Sequence, residues 1–397
     1  MNSEFLLPLD GVRVIDFTSA LAGPYATQTL GDFGADVVKV EQPSGDMTRA
    51  WGPFFGDLSS YFTSINRNKQ SISLDLKNEA DRAIARDLIA TADVVVENYR
   101  PGVADRLGIG YEAAKALRHG IVYCSISGYG ADQPPLPGYD QVVQATSGWT
   151  SLTGWPEQAP VRTGAPVGDV AAGMNAALTI AAALLRKERT GSGAHIDIAM
   201  QDTLVSMLAY QAGRYLASNA VPQRVGNNHP TIAPYGGFPT ADGNAVIAVG
   251  NNAQFARLCK ALGLPQLLEN PDFAENNDRI SHRPELDSAI AAKTRALTTK
   301  ELIRVVREAG VPVAEVRNLE QVFEDPASHA RGLVLEYDDP QAGRVRVPGG
   351  GWHIDGQRAE IRLPPPRLDA DRSEIREWLA RQADRRPALR GRASLNE

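Results

Sequence analysis

An isolated acid, Asp169, stands ahead of an alanine-rich run in Gly164-Ala165-Pro166-Val167-Gly168-Asp169-Val170-Ala171-Ala172-Gly173. The run reads as a helix from Asp169 to Leu185, and an aspartate at its start is an ordinary N-cap. A carboxylate at a helix N-terminus also sits in positive potential, stays ionised at neutral pH and can attack a thioester. The two readings are compatible. Gly164, Gly168 and Gly173 leave room for a substrate carbonyl to approach.

A second constellation is Glu97-Asn98-Tyr99-Arg100-Pro101-Gly102, at the end of an expected strand. In open α/β sheets ligands bind outside the carboxyl ends of strands. Asn98 offers amide hydrogen bonds, Tyr99 a stacking face, and Arg100 and Arg106 charged forks for phosphate. A solvated loop with ordinary surface arginines is the alternative. Gly45-Asp46-Met47-Thr48-Arg49, after the second strand, reads first as an Asp-capped turn and second as another ligand loop. His229 before Pro230 reads as a hydrogen-bonded turn residue.

Other chemistries find little support. Gly108-Ile109-Gly110 lacks the third glycine of a dinucleotide fingerprint and follows a helical pattern, and the P-loop and G-x-S-x-G motifs are missing. The six histidines show neither H-E-x-x-H nor close metal-ligand spacing, so no metal site is expected.

The elements that must position these residues alternate. Strands are expected at Val12–Phe17, Val37–Glu41, Val94–Glu97, Ile121–Ser127 and His195–Ala199, with helices from Tyr25, from Glu79 to Ala92, and from Tyr139 to Thr146. This rhythm predicts a Rossmann-like parallel sheet in a large α/β domain. The loop Gly128–Gly138 is rich in glycine and proline and should be irregular. Asparagine, proline and glycine interrupt the pattern at Ala220–Asp242, ahead of a strand at Ala245–Val249 and helices near Gln254, Glu285 and Lys300. The expected division is therefore residues 1–220 in the large domain, 221–325 in a smaller α/β domain, and 326–397 returning to the large one. That last part should hold a strand at Val345–Val347 and a charged helix from Arg372.

At 397 residues, with 43% hydrophobic and 22% charged residues, the chain has the composition of a globular protein. Its net charge of −6 and lack of a basic run argue against nucleic acid or a membrane surface as partner. Cys124 and Cys259 lie far apart in sequence, which suits a reducing cytoplasm. The N-terminus does not read as a signal peptide. The most apolar stretch, Val170–Leu185, falls short of the roughly 18 residues of a membrane span.

These segments together resemble the class III CoA transferase family, which includes formyl-CoA transferase and, as a divergent branch, α-methylacyl-CoA racemase. The resemblance runs through Leu9–Thr18, Ala22-Gly23-Pro24, Gly31–Glu41, Asn66–Lys69, Ser71–Lys77, Glu97–Arg106, Gly138-Tyr139-Asp140 with Gln144-Ala145, Gly168-Asp169 and Ala199-Met200-Gln201-Asp202. It implies an interlocked homodimer that moves CoA from an acyl-CoA to a carboxylic acid, with Asp169 as covalent nucleophile. It also implies CoA contacts at Ala20, Leu21, Ala22, Leu74, Lys77, Asn98, Tyr99, Arg100, Arg106 and Tyr139. The coenzyme A thioester would be a substrate, and no permanently bound cofactor is expected. Tyr235-Gly236-Gly237 is a candidate source of backbone donors for the tetrahedral intermediates.

Departures from the family pattern narrow the substrate. Formyl-CoA transferases carry a longer, tetraglycine-containing loop and a glutamine where this chain has Leu21, which disfavours formyl-CoA and oxalate. They also carry basic residues where Gln42 and Pro137 stand here. The expected pair is succinyl-CoA with a small dicarboxylate. Racemisation is the weaker reading, because the histidine that serves that branch as base is replaced by Tyr139. A silent CoA-binding protein and a nicotinamide enzyme are further alternatives; the retained Asp169 argues against the first and the missing fingerprint against the second.

Overall fold

The computed structural model describes residues 7–134 and 136–385. It divides into two compact units. The first takes the chain up to 149, then 162–216 and from 326 onward; the second takes 150–161 and 217–325.

In the first unit six strands form one parallel sheet: β1 (Arg13–Asp16), β2 (Asp36–Glu41), β3 (Lys69–Ser73), β4 (Val94–Glu97), β5 (Val122–Ser127) and β6 (Ala194–Ala199). Their order is β3-β2-β1-β4-β5-β6, with Val14 opposite both Val37 and Val94. This is the doubly wound order, whose direction reverses between β1 and β4 and opens a crevice at their carboxyl ends. The helices that bear on the site are α1 (Ala22–Asp32), α2 (Glu79–Thr91), α3 (Tyr111–Leu117), α4 (Asp140–Thr146), α5 (Val167–Thr190) and α6 (Met200–Met207). Both sheet faces are covered, so strand residues alternate between two cores rather than between core and water. Val14, Val94, Val96 and Cys124 share one core with residues of α1 and α5. Ile15, Ile72, Val95 and Tyr123 share the other with residues of α2 and α3.

Strand β3 was not expected, because Lys69-Gln70-Ser71 is polar. Lys69 is nevertheless fully buried, its Nζ 3.0 Å from Asp16 Oδ2, with Pro24 O and Asn66 Oδ1 as further acceptors at 3.0 and 2.8 Å. Beside it Lys39 Nζ lies 3.0 Å from Asp46 Oδ2 and donates to Thr18 O at 2.8 Å. Asp16 is opposed by burial, yet Lys69 and Lys39 bring its carboxyl down to about 2. Polar residues enter this sheet as a satisfied network, which is what burial demands.

The second unit is built on β7 (Tyr235–Pro239), β8 (Asn244–Ala248) and β9 (Val313–Glu315), antiparallel in the order β9-β8-β7. Helices α7 (Asn252–Ala261), α8 (Arg283–Thr294) and α9 (Thr299–Glu308) close its core, which includes Phe238, Ile247, Leu258, Leu286 and Leu302. Segment 150–161, expected in the large domain, packs in this unit instead. Arg224 donates to the carbonyls of Trp155 and Gln158, and Gly226 lies so close to the Trp155 ring that a Cβ would stand 2.3 Å from it. The first unit ends with the hairpin β10 (Val334–Asp339) and β11 (Gly343–Pro348), then α10 (Arg372–Arg385), whose Ile375 joins the core under α2.

Helix α5 runs 24 residues, longer than the expected Asp169–Leu185. By length and composition it could cross a membrane, the one described helix that could, but it packs against α1 and is 44% buried over its most apolar window. The contact with α1 is made of small residues. A Cβ on Gly173 would stand 2.6 Å from Ala22 O, so only glycine lets the two backbones meet there. We therefore expect Gly173→Val to overpack this contact and lower stability by about 1–3 kcal/mol, read as an earlier midpoint in urea. An unchanged midpoint would contradict the packing described.

Candidate active site

Beyond β1 the chain turns through Ser19 and Ala20 into α1. Ala20 has φ +65, a left-handed conformation that costs a non-glycine residue about 1 kcal/mol or more. Three bonds hold it. Ser19 N–H donates to Asn98 Oδ1 at 2.9 Å, Asn98 Nδ2 donates to Ser19 O at 2.7 Å, and Ala20 N–H reaches Asp46 Oδ1 at 3.4 Å. Asn98 thus ties the ends of β1 and β4 together at the point where the strand order reverses. Asp46 also caps the short helix Met47–Ala50 as an ordinary turn residue, as its sequence suggests.

Asp169 is the third residue of α5, not its cap; Pro166 holds the cap position and offers no side-chain bond. The cap is supplied from elsewhere in the chain. Asp140, first residue of α4, accepts the Gly168 N–H at 2.7 Å and is itself held by Gln144 Nε2 at 2.7 Å. Gln144, fully buried, accepts in turn from Thr163 N–H at 3.0 Å and Thr163 Oγ1 at 3.2 Å.

The expectation that Asp169 simply stays ionised needs correction. Burial, with the Asp140 charge added, pushes its carboxyl up to about 7, and a hydrogen bond from the Ala22 backbone N–H only partly offsets this. The first turn of α1 donates that N–H because its N-cap, Leu21, has no side-chain acceptor. Asp169 is thus poised between acid and carboxylate near neutrality. Tyr61 feels the same field: burial and the charges of Asp169, Asp140 and Asp46 push its phenol up to about 12. Its hydroxyl stays protonated and can donate.

Asp169 opens on a cleft of about 530 Å³, a size suited to a small ligand. The expected Ala20, Leu21, Ala22, Asn98, Tyr99, Arg100 and Tyr139 line it with Asp169. Leu74, Lys77 and Arg106 do not: Leu74 is in the sheet's core, and Lys77 and Arg106 are exposed elsewhere. Gln42 donates its amide to Gly45 O at 3.2 Å. Tyr235-Gly236-Gly237 is part of strand β7, paired with Ala248-Ile247-Val246, rather than an open glycine loop. A Cβ on Gly236 would stand 2.1 Å from Asn228 Oδ1, so within the second unit that strand is closely covered.

Sequence reasoning missed Asp140 as a site residue, along with Trp51, Tyr61 and Arg162 in the cleft walls; Met47, also there, lies in the Gly45–Arg49 segment weighed above as a ligand loop. Asp140 had a signal, an acid opening a helix two residues after Gly138. Trp51 and Tyr61, stacked edge to face at 5.1 Å, had none. The described residues of the loop between Gly128 and Gly138 form no helix or strand, as expected, and its two glycines touch backbone to backbone: a Cβ on Gly138 would lie 2.2 Å from Gly128 Cα. Among the described residues no three His, Cys, Asp or Glu side chains converge as metal ligands.

The site is thus a half-buried aspartate in the wall of a cleft that Ser19–Ala22 after β1 and Asn98–Pro101 after β4 also line, at the carboxyl edge of a doubly wound sheet. Comparison with known proteins identifies the class. The sequence profile of CoA-transferase family III matches residues 9–372, and the chain belongs to that family; it is a CoA-transferase. It is 39% identical to the succinyl-CoA:glutarate CoA-transferase of Homo sapiens, over 95% of this chain and 87% of that protein. It is 38% identical to the acetyl-CoA:oxalate CoA-transferase of Acetobacter aceti, over 94% of this chain and 96% of that one. The crystal structure of a CAIB/BAIF family protein from Brucella suis superposes with a TM-score of 0.84 at 37% identity, covering 94% of this chain and all of that one.

If Asp169 must be ionised to act, kcat/KM should rise with pH through an inflection near 7. Asp140→Asn removes the like charge and should move that inflection to lower pH. A pH–rate profile with the inflection unmoved would contradict the coupling.

Proposed function

We propose that this enzyme moves CoA from succinyl-CoA to a small dicarboxylate through intermediates covalently attached to Asp169. The single observation that carries this is the Asp169 carboxylate, half-buried in the wall of the cleft at the start of α5. Similarity to transferases named for succinyl-CoA and glutarate, and for acetyl-CoA and oxalate, supports dicarboxylates as acceptors. Oxalate, disfavoured by the residue at position 21, returns among the acceptors to test.

A carboxylate oxygen of Asp169 attacks the thioester carbonyl; the C–S bond breaks and the thiolate leaves with its electron pair, giving an acyl-aspartyl anhydride. The thiolate then attacks the aspartyl carbonyl, expels the first carboxylate and forms aspartyl-CoA. The acceptor carboxylate attacks the same carbon and releases the thiolate, which takes the new acyl group and restores Asp169. No water or net proton is consumed. The thiolate and the anhydride must be shielded from water, a task suited to the apolar walls of Met47, Trp51 and Leu136. Tyr61 O–H and the first backbone N–H groups of α1 are donors suited to the tetrahedral oxyanions. Arg100 at the cleft mouth suits the phosphates of CoA.

Met174, Leu178 and Leu185 stand exposed on α5, and Leu216 is 76% exposed. A homodimer of the interlocked kind that the family resemblance implies would cover such residues. Sedimentation should therefore give twice the chain mass, and a monomer would contradict the dimer.

The catalytic reading is tested with a CoA-exchange panel of succinyl-, acetyl- and formyl-CoA against glutarate, oxalate and monocarboxylates. Succinyl-CoA with a dicarboxylate should be the best pair, and Asp169→Ala should lose roughly 10⁴-fold or more in kcat, the scale of removing a member of a covalent catalytic unit. Full activity in Asp169→Ala would overturn the reading.

A further inference from the structure

The acids of the cleft set an electrostatic problem for an anionic acceptor. Asp140 and Asp169 both line it, and a dicarboxylate brings two further negative charges. Once Asp169 carries CoA as a neutral thioester, one carboxylate of the acceptor must reach it while the other remains charged in a partly desolvated space. That second charge needs a cation, because a buried or half-buried carboxylate without a partner is costly. Among the described residues lining the cleft the only cations are Arg100 and Arg162. Arg100 follows the end of β4 and suits the nucleotide end of CoA.

We infer that Arg162 binds the far carboxylate of the dicarboxylate substrate and so sets the preference for diacids over monoacids. The inference rests on the CoA-transferase reading above. Arg162 makes no ion pair with any described residue. Its Nη1 donates back to the carbonyls of Thr163 and Gly164, at 2.8 and 3.2 Å, which orients the guanidinium and leaves its Nη2 edge for a ligand. The backbone beside it is anchored, since Thr163 N–H donates to fully buried Gln144 at 3.0 Å and the single proton of its Oγ1 is shared between Gln144 Oε1 at 3.2 Å and Ala165 O at 2.9 Å. The chain Thr163, Gln144, Asp140, Gly168 thus joins the segment carrying Arg162 to the start of α5, fixing a cation and the nucleophile on one scaffold. A planar fork held this way matches a carboxylate better than a lysine ammonium would.

The test compares glutarate with valerate, a monocarboxylate of equal length, using one CoA donor throughout so that effects on the donor cancel. In Arg162→Gln, kcat/KM for glutarate should fall roughly 10- to 100-fold, the loss of a charge-assisted hydrogen bond, mainly through KM. The loss for valerate should be at least tenfold smaller. Arg162→Lys should recover part of the glutarate activity, and because the side chain is exposed neither change should disturb folding. Equal losses for both acids, or none for glutarate, would overturn the inference while leaving the transferase intact. A wild-type enzyme that transfers CoA to valerate but to no dicarboxylate would overturn the substrate reading itself.

Discussion

The site depends on how closely α5 approaches α1. Gly173 lets the Ala22 carbonyl oxygen come within 2.6 Å of where a side chain's first carbon would be, and one turn earlier the same proximity brings Asp169 to the Ala22 N–H. Once the helices are so close, the carboxylate is buried enough for desolvation to dominate its ionisation, and the N-termini of both helices converge on one small volume. Asp140 then acts in two opposed ways. As a hydrogen-bond acceptor it caps α5; as a charge it raises the energy of the ionised Asp169. A carboxylate destabilised in this way is more reactive than an exposed aspartate, which is what the proposed role of Asp169 as nucleophile calls for.

The support below is electrostatic as well. Lys39, Lys69, Asp16 and Asp46 are all buried under the turn that leads into α1. Removing one partner would leave an uncompensated charge, so the network is rigid in its composition. What it holds in place is the left-handed Ala20 and the uncapped start of α1, the backbone donors the chemistry calls for. Strain at a site is tolerated when the surroundings over-determine it, and here Asn98 from β4 and Asp46 from the next turn do so.

Much of this fold was legible. Val94–Glu97 and Ile121–Ser127 read as strands of a helix-covered parallel sheet, and Glu79–Ala92 differs from the helix found by one residue. Asp169, Asn98, Tyr99, Arg100 and Tyr139, from three separate segments, line one cleft. What was not legible follows a physical pattern. Lys69-Gln70-Ser71 hides a core strand because its polar groups find partners only after the sheet forms. Residues 150–161 belong with the second unit because Arg224, more than sixty positions away, binds their carbonyls. The ionisation of Asp169 depends on Asp140, brought close by helix packing that no local pattern encodes.

The most direct measurement is intact-protein and peptide mass spectrometry of enzyme quenched during turnover with succinyl-CoA. The account predicts a CoA-sized adduct on the peptide containing Asp169, lost when that residue is replaced by alanine. Steady turnover with that peptide unmodified, or with the adduct on another side chain, would contradict it.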